Sequence, residues 1–279
     1  MRTASALVVL STLAIAAPAL AQSEQDQTIG GAPLDRWRVS LTPRIWYVAP
    51  AGDLRLPGST GKVSLDDLDA SNPRLSPSGE ISLRSDDYRL TFRGMNTNQD
   101  VIRNAASAFN LGPVSVSAGD AIRTKLDMTV IELSGGYRFW AWEPTVGGVK
   151  SRDNHLDFWA VGGARVYDFS FDFARLSPTL SQTKKDVTFI DPFVGVRTEM
   201  QFARNYGAEL EIAGGALPGS RSTFNFDITA GFQYKFCEHG QALIGYRLLI
   251  SHLKSGKDTQ QFRYDGSLAG LFFGVVVRF

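Results

Sequence analysis

The chain has 279 residues, 43% of them hydrophobic and 20% charged, too apolar for a disordered chain and too charged for a bundle of membrane helices. Lys and Arg total 29 against 28 for Asp and Glu, so no global field attracts nucleic acid, and none is expected as a partner. The single cysteine, Cys237, excludes an intramolecular disulfide framework and a thiolate zinc cluster.

Residues 1–21 read as a cleaved secretory signal peptide. Arg2 supplies the positive start, 6–17 is apolar apart from Ser11 and Thr12, and Ala19 and Ala21 are the small residues before the cut. The apolar run is shorter than the ~18–20 residues a spanning helix needs, and no cysteine follows the cut to carry a lipid. Residues 22–35 are then a periplasmic N-terminal segment and 36–279 the folded body, within which no helix-length apolar segment occurs.

The first strand is expected over 36–49, where Trp37, Val39, Leu41, Ile45 and Tyr47 alternate with Arg38, Ser40, Thr42 and Arg44 and Trp46 breaks the polar rank. Pro43 lies in the apolar rank without a ladder N–H, so a bulge or local irregularity is expected there. A polar loop over 50–76 contains Asp66 and Asp67. Strands 77–85 and 88–96 flank a tight turn over 84–87, where Asp86 and Asp87 suit backbone bonding. A second long polar loop, 97–121, leads to a strand over 122–142. The connection 143–154 holds Gly147-Gly148-Val149-Lys150-Ser151, which lacks the spacing and strand-to-helix context of a phosphate loop. In the strand over 155–175, Phe169, Phe171 and Phe173 share a rank with Arg165; if the rings face lipid, a bulge must flip the phase between them and Arg165, and that is the favoured reading.

The remaining strands alternate more plainly. Over 186–203, Val194, Val196, Met200 and Phe202 oppose Asp191, Gly195, Arg197, Glu199 and Gln201; over 206–217, Ala208, Leu210 and Ile212 oppose Glu209 and Glu211. Over 222–236, apolar Phe224 to Phe236 oppose Asn225, Asp227, Thr229, Gly231, Gln233 and Lys235. Over 241–253, Ile244, Tyr246, Leu248 and Ile250 oppose Gly245, Arg247 and Ser251, with Leu249 an exception. The last strand, 263–279, carries Ala269, Leu271, Phe273, Val275, Val277 and Phe279 at every second position.

Ten strands, tight turns at 84–87, 203–206 and 237–240, and long loops at the other end describe a transmembrane antiparallel up-and-down β-barrel of about ten strands, with eight the main rival. The connections at 143–154 and 217–221 fit that alternation less well. A soluble sandwich or lipocalin-like barrel would bury one aromatic rank and turn the other to water; here Trp37, Tyr47, Tyr137, Tyr234 and Phe279 suit interfacial girdles.

The segments LDFWAVGGARVYDFS at 156–170, FIDPFVGVR at 189–197, GYRLL at 245–249 and FFGVVVRF at 272–279 resemble those of uncharacterised Gram-negative outer-membrane β-barrel proteins, the small OmpA-like and OmpW-like barrels. The resemblance implies a bacterial outer-membrane location and outer-membrane lipid and lipopolysaccharide as surroundings. It also implies that the barrel-assembly machinery reads Phe273, Val275, Val277 and Phe279 as an assembly signal. It carries no catalytic set and no cofactor, and no OmpA-type peptidoglycan-binding domain is expected after the last strand.

The inward ranks place Arg38, Arg44, Arg89, Arg93, Glu132, Arg138, Asp191, Arg197, Glu199, Glu209, Glu211, Asp227, Lys235, Arg247 and Arg278 in the lumen. Such groups either pair into a network that plugs the barrel or line a narrow pore. The function expected is structural or permeability-related, in a monomer, with small-solute passage the sharper version. The alternatives are an interaction protein using the loops 50–76 and 97–121, or a lipid-modifying enzyme. Against an enzyme, Ser251 and His252 are adjacent on a strand and point to opposite faces, so they cannot pair as nucleophile and base. His155 and His239 fall at the other rim, and three scattered histidines make no metal site.

Overall fold

The computed structural model describes residues 37–146, 149–150, 154–177 and 179–279; the expected signal peptide, the segment 22–35 and most of the glycine-rich stretch after Val146 lie outside the described residues. Ten long strands follow in chain order: β1 (Arg38–Arg55), β2 (Arg74–Arg84), β3 (Tyr88–Asn104), β4 (Ala121–Trp142), β5 (His155–Arg175), β6 (Ser181–Ala203), β7 (Tyr206–Leu217), β8 (Arg221–Lys235), β9 (Gly240–Ser255) and β10 (Phe262–Arg278). Each pairs antiparallel with its neighbours in sequence, and β10 pairs with β1 from Ser40↔Arg278 to Arg55↔Arg263, so the sheet closes into a ten-stranded barrel. A two-residue strand, Val63–Ser64, adds to the far end of β1.

One end of the barrel carries the tight turns and the other the loops. At the turn end, Ser85 and Tyr88 bond through backbone and hydroxyl groups, and the longer connection after β4 contains its own two-residue ladder, Thr145–Val146 with Val149–Lys150. At Pro43 the ladder to β10 skips from Leu41↔Val277 to Arg44↔Gly274 in unchanged register: a missing rung, without a bulge. Strands β4, β5 and β6 run 22, 21 and 23 residues, about twice the 9–11 needed to cross a bilayer. All the additions to the expected strands of β1, β3 and β6 lie at the loop end.

The exterior carries an apolar belt. Leu41, Ile45 and Tyr47 of β1, Leu90 and Phe92 of β3, Leu210 and Ile212 of β7, Phe232 and Tyr234 of β8, and Leu271, Phe273 and Val275 of β10 are all exposed. Aromatic rings gather at the turn end of this belt, where Tyr88 meets Tyr137 at 5.6 Å and Tyr206 meets Tyr234 at 5.3 Å. A closed barrel with this exterior spans a membrane, because closure satisfies every strand edge and the belt is costly to expose to water.

Beyond the belt the faces exchange character, which corrects the expected orientation of Phe169, Phe171 and Phe173. No register shift separates them from Arg165: the β5–β6 ladder is continuous, and the shift in the β5–β4 ladder falls at Phe158/Trp159. Arg165, Tyr167 and the three phenylalanines all point into the bore and are fully buried. Their outward neighbours are polar, with Ser170 donating to Asp186 at 2.7 Å and Thr188 to Asp168 at 3.1 Å. Above the membrane the outside is water, so the apolar rank packs inward and the polar rank turns out.

Candidate functional site

The barrel interior has two stacked layers of opposite chemistry. The layer at the turn end is built by the inward ranks, since every second residue of each strand faces the bore. Arg44 donates to Glu80 at 2.8 Å, and Glu80 also accepts from Arg93 at 2.9 Å. Arg93 forms a two-pronged pair with Glu211, both contacts 2.7 Å, and reaches Glu132 at 3.1 Å. Arg197 joins Glu209 at 2.6 Å, Glu211 at 3.2 Å and Glu199 at 3.0 Å. Arg165 lies between Glu132 and Asp227, each at 2.7 Å, and Arg247 meets Asp227 at 2.6 Å.

Two of these pairs cross the bore. Arg93 is on β3 and Glu211 on β7, strands that share no ladder; Arg165 of β5 and Asp227 of β8 are likewise not neighbours. A guanidinium fork fits a carboxylate in two parallel bonds, which fixes both partners and leaves neither charge unpaired in a dry surrounding. Aromatic rings complete the packing, with Arg165 4.3 Å from the Phe193 ring centre and Arg247 5.7 Å from that of Trp46.

Of the sequence-expected lumen residues, Arg44, Arg89, Arg93, Glu132, Arg197, Glu199, Glu209, Glu211, Asp227 and Arg247 enter this network. Asp191 is buried beside it but is held by Thr223 at 2.7 Å and Asn225 at 2.5 Å. Arg138 pairs at the rim with Asp87 and Asp157, and Arg38 with Asp86, so both turn aspartates bind side chains and not only backbone. Lys235 lies in the inward rank and makes no ion pair among the described residues, and Arg278 stands at the turn-end mouth. Phe273, Val275 and Phe279 of the assembly signal face outward, with Val277 half-buried in the same rank. Four members escaped the sequence reading. Glu80 and Arg84 alternate with Ile81 and Leu83 and were legible in that rank, whereas Asp157 and Arg165 share theirs with Trp159 and Phe169, which disguised it.

The layer at the loop end is apolar. Phe169, Phe171, Phe173, Phe189, Phe262, Leu249, Leu253 and Tyr264 fill the bore and pack into one buried cluster. Phe169 lies 5.3 Å from both Phe262 and Tyr264. Residues from the two long loops close it: Leu56, Leu65, Leu68 and Ala70 from the first, and Leu111 and Val114 from a small hairpin, Phe109–Leu111 with Val114–Val116, in the second. The loops are tied together where Gly112 N–H donates to Ser59 Oγ at 2.7 Å; at φ +61°, that position suits glycine.

His252 stands outside this core at the loop end, its Nδ1 3.1 Å from Asp265, while Ser251 points inward to the Tyr167 hydroxyl at 3.4 Å, so the two face apart as expected. Asp265 also accepts from Lys62 at 2.5 Å and pairs with Arg263 at 2.7 Å, clasping the first loop to β10. Burial raises the pKa of this carboxyl, but the bonds from Lys62, Arg263 and His252 outweigh that and hold it at about 2.

No protein-family model matches the chain, and no curated protein sequence does. Among solved structures, the outer-membrane protease OmpT of Escherichia coli superposes with a TM-score of 0.51 at 7% identity over 87% of this chain and 97% of that one. The attachment invasion locus protein Ail of Yersinia pestis gives 0.37 at 9% identity over 88% and 99%. The translocator domain of the Neisseria meningitidis autotransporter NalP gives 0.40 at 11% over 87% and 88%. At these identities the first likeness concerns the fold, a closed antiparallel barrel of the outer-membrane kind.

Proposed function

We propose that the protein is a sealed outer-membrane barrel with a structural role, monomeric, whose contacts with the cell are made at its two ends. The barrel fold supports an outer-membrane location, and tight turns facing the periplasm with long loops facing outward is the usual orientation of such barrels. Lipopolysaccharide and outer-membrane lipid are the surroundings that the apolar belt calls for, and the rank ending in Phe279 is offered to the assembly machinery.

One observation carries the reading: the bore is blocked twice in series, by cross-lumen ion pairs and then by a dry apolar core. A hydrated ion would have to part paired guanidinium and carboxylate groups and then enter hydrocarbon, each step costly. Refolded protein in a planar bilayer should give no discrete conductance steps, with heat-modifiable migration on a gel confirming that it is folded. Reproducible steps from the unaltered protein would overturn the sealed reading and favour a solute path. Surface-loop interaction is the second reading. It is supported by β5 and β6, which carry polar outward ranks beyond the belt, and predicts a partner lost when the loops 56–73 and 105–120 are shortened.

A further inference from the structure

Beneath the ion-pair layer, a cavity of about 180 Å³ opens at the turn end of the barrel. Its charge is unbalanced. Among the described residues it is lined by six arginines and three glutamates, and the glutamates are already engaged: Glu80 by Arg44 and Arg93, Glu199 by Arg84 and Arg89, Glu209 by Arg197. Arg38 spends its charge outward on Asp86. Arg278, exposed at the mouth, makes no ion pair among the described residues and stands within electrostatic reach of Glu199 as well as of Arg84, Arg89 and Arg38.

A cavity lined by six guanidinium groups, one of them without a carboxylate partner among the described residues, suits an acceptor-rich anion. A space of about 180 Å³ has room for a small oxyanion but not for a folded segment. Guanidinium forks match the oxygens of a phosphate group in bidentate fashion. We propose that this cavity binds a phosphate-class oxyanion that enters from the turn end, with Arg278 as its principal ligand. The site lies at the mouth of the sealed bore and shares Arg44, Glu80, Arg197 and Glu209 with its ion-pair layer, but the two readings fail separately: a conducting barrel would refute the seal and leave this site standing, and an empty cavity would do the reverse.

The test uses the full chain refolded in zwitterionic detergent and titrated with inorganic pyrophosphate in a chloride buffer. Saturable binding is expected, weakened about tenfold by Arg278→Gln and unchanged by Arg123→Gln at the opposite end. Gel migration before and after heating reports whether each variant is folded. A readout independent of any variant is protection: pyrophosphate should slow the modification of Arg278 by phenylglyoxal, mapped by mass spectrometry. If phosphatidylglycerol added to the micelles competes with pyrophosphate, a lipid headgroup is the source of the phosphate; if it does not, the source is a free anion, and both results support the site. No saturable binding, binding indifferent to Arg278→Gln, or modification of Arg278 unaffected by pyrophosphate would each overturn it.

Discussion

On one face of β5, Arg165 and Phe169 are four residues apart, both fully buried in the same bore, yet the first sits among carboxylates and the second among aromatic rings. The difference follows from what lies on the other side of the wall. At the level of Arg165 the outside is apolar, with Val166 and Ile190 exposed, and the bore takes the polar residues. At the level of Phe169 the outside is Asp168 and Ser170, facing water, and the bore takes the rings. A strand that leaves the membrane while staying in the barrel inverts its polarity, so one barrel holds a charged plug in its membrane half and a globular core in its emergent half.

This contrast can be broken from either side. The largest effect is expected from Arg165→Met, which removes the fully buried guanidinium between Glu132 and Asp227 and leaves them to Arg93 and Arg247; about 3–5 kcal/mol of stability should disappear, read as the shift in a urea unfolding transition. Leu249→Ala, in the apolar half, should cost about 2–5 kcal/mol by opening a cavity, and the same transition measures it.

A smaller effect concerns the clasp at Asp265. Its folded pKa of about 2 lies below the ordinary carboxylate value, so its stabilisation is complete above the unfolded value, near pH 4, and is lost as the pH falls through about 2. The thermal midpoint of the unaltered protein should exceed that of Asp265→Asn at pH 5, and the two should converge toward pH 2. The smallest effect is expected from Arg123→Gln. Its pair with Asp100 at 2.7 Å is open to solvent and screened by it, so the urea transition should scarcely move.

Strand count, closure and most lumen charges were legible in the sequence because alternation reports two faces directly, and β7 to β10 lie largely within the membrane, where apolar means outside. Alternation does not say which face is inside once the medium changes. Phe169, Phe171 and Phe173 alternate with Asp168, Ser170 and Asp172 as cleanly as any lipid-facing rank, and only the position of Arg165 contradicts that orientation. Trp46 and Leu249, the two residues that break polar ranks, mark the same boundary: Trp46 is buried under Arg247, and Leu249 begins the apolar layer. In β4 the crossing shows as consecutive apolar residues, with Val130 buried inward and Ile131 exposed outward. The insertion of Leu65, Leu68, Leu111 and Val114 into the core was hidden in loops whose polar composition suggested only solvent.

The inversion is tested most directly by thiol accessibility in a Cys237→Ser background, comparing Ser170→Cys with Phe171→Cys in the folded barrel. A charged, membrane-impermeant methanethiosulfonate reagent should label position 170 readily and leave position 171 unmodified until the protein is unfolded. Rapid labelling at 171 with protection at 170 would contradict the account, returning the phenylalanine rank to the exterior and removing the apolar core from the bore.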